Sequence, residues 1–197
     1  MTMTQHKTFT IRPATAADAE HLVHFTVSAS KGLSLITWED AKQPGETAMD
    51  AGLRRAREGT GGFSFRKADV AEFEGEVMSG IVSYPIAPDG QSDTSDIPEV
   101  FRPLVILEDR AGASWYINIL ATYERARGHG AASRLIQHVE ARAKAAGEAR
   151  MSIVVDAVNP AMKLYEHLGF EEVSREPFGQ SGDDHPEGHW VLMIKRI

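Results

Sequence analysis

Residues 114–157 constrain the fold more than any other stretch of the chain. "SWYINILAT" (114–122) is a nearly unbroken apolar run of strand length, and "RMSIVVDA" (150–157) is a second. Between them, "GAASRLIQHVEARAKAAG" (130–147) sets Leu135, Ile136, Val139 and Ala143 on one face, the spacing of an amphipathic helix that Gly147 ends. Two buried strands joined by one helix make a βαβ unit, so at least part of the sheet is parallel.

The remaining segments alternate in the same way. "FTIRPAT" (9–15) reads as a first strand closed by Pro13. A helix follows over 17–30, capped by Thr15 or Asp18, with Leu22, Phe25 and Val27 as its apolar stripe. A second helix is expected over 45–58, stopped by "GTGG". Residues 63–87 read as a hairpin: Phe63, Phe65 and Ala68 on one arm, Val77, Ile81 and Val82 on the other, and a turn near Glu74-Gly75-Glu76. "NPAMKLYEHLG" (159–169) is a helix with Asn159 as N-cap and Pro160 at its first position, ended by Gly169. Strands over 170–176 and 189–197 close the chain. Residues 88–113 form an irregular insertion in which Pro103 is expected to break a short helix; a substrate lid and a simple decoration both remain open for it.

Composition sets the outer limits. At 197 residues and 42% hydrophobic side chains, the chain can bury one sizeable core, and it shows no long repeat or low-complexity tract. The expected organisation is a flexible N-terminal tail over 1–7 and a single α/β domain over 8–197, a central mixed β-sheet flanked by helices. No cysteine is present, which removes disulfides and thiol nucleophiles and suits a reducing, cytoplasmic setting. No apolar run nears the ~20 residues of a membrane span, and "MTMTQHK" lacks the apolar stretch of a secretory signal. The net charge of −7 speaks against nucleic acid and anionic membrane as partners. On that acidic background, the cluster of Arg125, Arg127, His129 and Arg134 is informative.

That cluster falls in "ERARGHGAAS" (124–133), where a strand runs through glycines into a helix N-terminus. Free backbone N–H groups and the positive end of the helix dipole converge there, an arrangement that binds phosphate. Two frames compete, Arg125-x-x-Gly128-x-Gly130 and Arg127-x-x-Gly130-x-Ala132. A Walker loop would need Gly-Lys-Ser/Thr, and Ala131, Ala132 and Ser133 stand there instead. A dinucleotide fingerprint, Gly128-x-Gly130-x-x-Ser133 with Asp156 as the ribose acid, fits less well. Ser133 replaces the third small residue, "YERAR" separates loop from strand, and Asp156 lies beyond the usual ~20-residue spacing. The third ligand is coenzyme A, whose pyrophosphate needs the same nest of N–H groups and whose 3′-phosphate favours arginine.

"ILATYERARGHGAASRL", followed one strand later by "NPAMKLYEHLGF", resembles the two signature segments of the GNAT superfamily of N-acetyltransferases. The resemblance covers 117–170. Glu124 stands where the family often has proline, and Ala131-Ala132 replace a bulkier pair. It implies acetyl-CoA as co-substrate, bound where two parallel strands splay and the pantetheine arm pairs with backbone like an added strand. By that resemblance the backbone of Leu120, Ala121 and Thr122 meets the arm, and the N–H groups of Gly128, His129, Gly130, Ala131, Ala132 and Ser133 hold the pyrophosphate. Arg127 lies seven residues beyond Leu120, as the family's arginine does, so it orients the loop and Arg125 becomes a bystander or outer contact. Asn159 caps its helix and contacts the pantetheine. Tyr165 is the expected general acid that protonates the departing thiolate.

The implied reaction is direct attack of a primary amine on the thioester, the acceptor being a small molecule or a peptide amine. The acidic segments 88–113 and 177–189 favour a cationic small molecule. Glu108, just before the central strand, is the first choice of general base, and His189 the second. Asp183, Asp184 and His185 have metal-ligand chemistry, but no metal is assigned. Exposed strands would suit a homodimer. A CoA-binding or sensing module without turnover is the alternative from another class.

Overall fold

The structure is a computed structural model that describes residues 8–88, 90, 92–178 and 188–197. The expected tail 1–7 and the Asp183-Asp184-His185 run lie outside the described residues. The strands are β1 (Thr10–Pro13), β2 (Ala68–Phe73), β3 (Glu76–Ile86), β4 (Ser114–Thr122), β5 (Arg150–Asp156), β6 (Glu171–Pro177) and β7 (His189–Arg196). The helices are α1 (Ala19–Ala29), α2 (Leu33–Asp40), α3 (Ala48–Glu58), α4 (Arg102–Ala111), α5 (Ala131–Ala145) and α6 (Met162–His167). The seven strands order as β1-β2-β3-β4-β5-β7-β6. β4 and β5 are parallel, as the βαβ reading requires, and the other registered pairs are antiparallel. The expected mixed α/β sheet flanked by helices is therefore the architecture found.

The chain packs as two compact units. One comprises the described residues up to Tyr84 together with Asn118–Val139; the other comprises Pro85–Ile117 and Glu140–Ile197. In the first, Leu22, Val23 and Phe25 of α1, Trp38 of α2, and Ala51 and Ala56 of α3 cover Val70, Val82 and Ile119 of the sheet. Gly52 of α3 lies under Trp38, where a Cβ would meet the indole ring at 2.7 Å, so only glycine fits. The β2–β3 turn puts Glu74 (φ 54°) and Gly75 (φ 81°) in the left-handed region, the conformation of a tight hairpin turn. α1 is introduced by a capping box at Thr15 and Asp18. In the second unit, Leu107 and Ala111 of α4 bury against Leu192 of β7, with Val154 and Trp190 beside them.

Four expectations need correction. Pro103 does not break a helix: it stands in the first turn of α4, where its missing N–H costs nothing. Among its described residues the 88–113 insertion holds a ten-residue helix. The first hairpin arm begins at Ala68, not Phe63, because Ser64 caps a 3-10 turn over Phe65–Lys67. The helix expected from residue 45 starts at Ala48, after a Thr47 cap that accepts from the Asp50 N–H at 3.2 Å, and α2 precedes it without having been anticipated.

Candidate active site

In the first unit, the end of β4 is held by β3. The Tyr123 N–H donates to the Met78 carbonyl at 2.9 Å. The Ser79 hydroxyl lies 2.8 Å from the Ala121 carbonyl and 2.7 Å from Thr122 Oγ1. Leu120, Ala121 and Thr122 are half-buried, and the registered pairing of β4 with β5 stops earlier, at Ile117 opposite Ile153.

A 3-10 turn over Glu124–Ala126 then buries Ala126 and delivers Arg127 in extended conformation. Gly128 and Gly130 follow with φ of 76° and 87°, which a side chain would strain. A Cβ built at either would have no atom within 4 Å, so the loop backbone lies open. The Arg134 N–H donates to the Gly130 carbonyl at 3.1 Å. The N–H groups of Ala131, Ala132 and Ser133 precede that bond, at the end of a helix where donors lack intrahelical partners. An open glycine turn leading into unpartnered donors of a 15-residue helix fits a pyrophosphate.

The two arginine frames separate here. Arg125 pairs with Glu76 at 3.2 Å and lies over the Tyr123 ring at 5.0 Å. Arg127 is exposed and makes no ion pair or side-chain hydrogen bond among the described residues. Arg134 reaches back to the Phe9 carbonyl at 3.4 Å. Of these three guanidiniums, that of Arg127 alone makes no such contact among the described residues.

In the second unit, Tyr165 sits in α6 with 3% of its surface exposed, its ring centroid 6.0 Å from that of Phe170. Burial pushes its hydroxyl well above the ordinary phenol value. Asn159 opens the turn before α6: its Oδ1 accepts from the Ala161 N–H at 2.9 Å, and its carbonyl accepts from Met162 at 3.0 Å. Asn159 thus forms a turn rather than capping the helix: α-helical bonding starts only at Met162 with Ala161 in the cap position, so Pro160 lies in that turn and not at the first helical position. Glu108 lies within α4, the helix that precedes β4. It is half-buried, and Tyr116 of β4 donates a hydrogen bond to it. Burial raises its carboxyl above the usual range, the Tyr116 bond pulls the other way, and the rise wins. His189 is the first residue of β7, and its carbonyl accepts from the Ala157 N–H at 2.9 Å.

Two features escaped the sequence. The Ser79 contacts belong to one of two serines in a largely apolar strand, and no spacing marks it from Ser83. An open groove of about 530 Å³ runs between α2 and α3, lined by Leu35, Ile36, Ala48 and Met49 with Glu39 and Asp40 beside them. Ile36 and Met49 expose more than two-fifths of their surface, and the apolar "LSLI" run was its one signal. Among the described residues, no helix is long and apolar enough to cross a membrane.

The model of the acetyltransferase (GNAT) family matches residues 34–170, and the chain belongs to that family. Acetyltransferase Atu2258 of Agrobacterium fabrum is 30% identical over 119 residues, which span 56% of this chain and 85% of that protein. Among solved structures, one described as an acetyltransferase matches at 24% identity and TM-score 0.63, covering 95% of this chain and 99% of its own. A Drosophila melanogaster polyamine N-acetyltransferase that forms N-acetylagmatine matches at 15% identity and TM-score 0.63, covering 96% and 100%. A mosquito arylalkylamine N-acetyltransferase-like protein matches at 19% and 0.63, over 96% and 100%. These likenesses establish the fold.

Proposed function

We propose that this acetyltransferase moves an acetyl group from acetyl-CoA to a primary amine, most readily a small cationic one, in the cytoplasm. The observation that carries the reading is the open Gly128–Gly130 turn beside an unengaged Arg127 at the start of α5. Acetyl-CoA, when bound, supplies the activated acetyl thioester. Arg127 and the N–H groups from Gly128 to Ser133 hold its pyrophosphate, and the backbone of Leu120, Ala121 and Thr122 meets its arm. Glu108 takes a proton from the incoming ammonium, so that the neutral amine attacks. Its raised carboxyl brings it closer to the working pH of a general base. Tyr165 gives its phenolic proton to the sulfur as the carbon–sulfur bond breaks and the carbon–nitrogen bond forms, and the proton then shed by the acylated nitrogen restores the phenol. A cationic acceptor is supported by the acidic balance of the chain and by the polyamine substrate of one fold relative.

The test is a thermal-shift titration followed by turnover. Acetyl-CoA should raise the melting temperature while NAD leaves it unchanged, and free thiol should appear when a panel of primary amines is added. A shift with NAD in place of acetyl-CoA would overturn the ligand. Binding of acetyl-CoA with no thiol released across polyamines, arylalkylamines and peptide amines would make the protein a CoA-binding module.

A further inference from the structure

We propose that Ser79 is a positioning residue for the cofactor strand, holding the Ala121–Thr122 peptide so that its N–H faces the pantetheine arm; this rests on the acetyl-CoA reading above. The register of β2 with β3 passes from Ala71 opposite Ser79 to Glu72 opposite Val77, so Met78 is an extra residue on β3. A bulge of this kind bends its strand and re-aims the side chains beside it. Beside it, three contacts fall on three successive residues, the last two of β4 and Tyr123 just after it. The Met78 carbonyl accepts from the Tyr123 N–H at 2.9 Å. Ser79 Oγ donates to the Ala121 carbonyl at 2.8 Å and stands 2.7 Å from Thr122 Oγ1. A serine has one hydroxyl proton. With that proton on the Ala121 carbonyl, Ser79 accepts from Thr122.

The consequence follows from peptide geometry. In a planar trans peptide the C=O and N–H point in opposite directions. The Ala121 carbonyl is fixed toward β3 by a serine with no exposed surface, so the Thr122 N–H of the same peptide is fixed away from β3. An arm that pairs with this strand as an added strand needs that donor. Ser79 touches no substrate; it acts through the peptide it orients. Since the serine is wholly buried, its replacement by alanine leaves the Ala121 carbonyl and Thr122 hydroxyl to find new partners, and the peptide loses its fixed orientation.

The experiment compares two ligands by calorimetry, coenzyme A and adenosine 3′,5′-bisphosphate, the latter lacking both pantetheine and pyrophosphate. Ser79→Ala should weaken coenzyme A about five- to tenfold, a shift of the size expected for one aligned hydrogen bond. It should leave the bisphosphate within twofold and raise KM for acetyl-CoA more than KM for the amine. Equal weakening of both ligands would mean that Ser79 merely supports the fold, and unchanged coenzyme A affinity would mean that it orients nothing; either overturns the proposal. If Ser79→Ala does not fold, Ser79→Cys carries the test, because a thiol is a weaker donor of similar shape. It should weaken coenzyme A two- to fivefold, and wild-type affinity would overturn the proposal. Failure of the wild-type protein to bind coenzyme A at all would instead overturn the acetyl-CoA reading.

Discussion

Tyr165 carries two properties that pull in different directions. Its ring is buried against Phe170, as a core aromatic would be, and its hydroxyl is held protonated by that same burial. A phenol whose proton is retained well above neutral pH is always loaded as an acid, although burial also makes it a less willing donor. Replacing it with phenylalanine separates the roles, since the ring keeps its packing and only one oxygen leaves. For Tyr165→Phe we expect kcat to fall ~10²-fold or more, with acetyl-CoA affinity within twofold of wild type. Full turnover in that variant would return Tyr165 to the core and leave the thiolate without its proton source.

At the scale of elements, the turn between β4 and α5 decides the register of the proposed cofactor loop. Arg125 is spent on Glu76 and the Tyr123 ring, while Arg127 stands free beside two glycines of positive φ. Arg127→Ala should therefore weaken acetyl-CoA about tenfold, and Arg125→Ala less than threefold, the scale of one phosphate contact. Equilibrium titration of the two variants checks this, and the reverse order would shift the loop by two residues. This part of the molecule was legible because its signals are local. The stripe Leu135, Ile136, Val139 and Ala143 is fully buried in α5, and the glycines sit where positive φ requires them. α2 was not legible: Gly32 supplies no side-chain cap, Trp38 is its one buried residue, and packing rather than pattern makes it a helix. α4 departs from the expected break because Pro103 disrupts a helix from the interior and not from its first turn. The neighbourhood of Glu108 is not legible in the sequence, since Tyr116 reaches it from the next element and no spacing along the chain encodes that bond. Ser79 was invisible for a related reason: its role depends on a bulge between two strands.

At the scale of the whole molecule, acid is the condition that should separate a specific contact from general repulsion. Asp18 is 4% exposed and accepts from both Arg12 nitrogens, Nη1 at 2.8 Å and Nη2 at 2.9 Å. It also accepts from the Thr15 N–H at 2.7 Å and the Thr15 hydroxyl at 2.9 Å. Arg12 binds Glu72 of β2 at 2.8 Å, so one guanidinium on β1 ties the start of α1, through Asp18, to β2. Chiefly through its hydrogen bonds with Arg12, and against the cost of burial, the Asp18 carboxyl is held down at about 2. The folded value lies below the ordinary ~3.9 of an unfolded chain. Its contribution is therefore complete above about pH 5 and is lost as pH falls through 4 toward 2. The depression corresponds to about 2 kcal/mol. As the carboxylates are neutralised, the 21 Lys and Arg and the 8 His leave a strongly positive chain, and repulsion lowers stability in any variant. That common term cancels between wild type and Asp18→Asn. In urea unfolding, the variant should be less stable by about 2 kcal/mol at pH 7. The gap should narrow steadily below pH 4 as wild-type Asp18 takes up its proton. A gap of constant size from pH 7 to pH 3 would show that Asp18 stabilises by its shape and hydrogen bonds alone, with its charge contributing nothing.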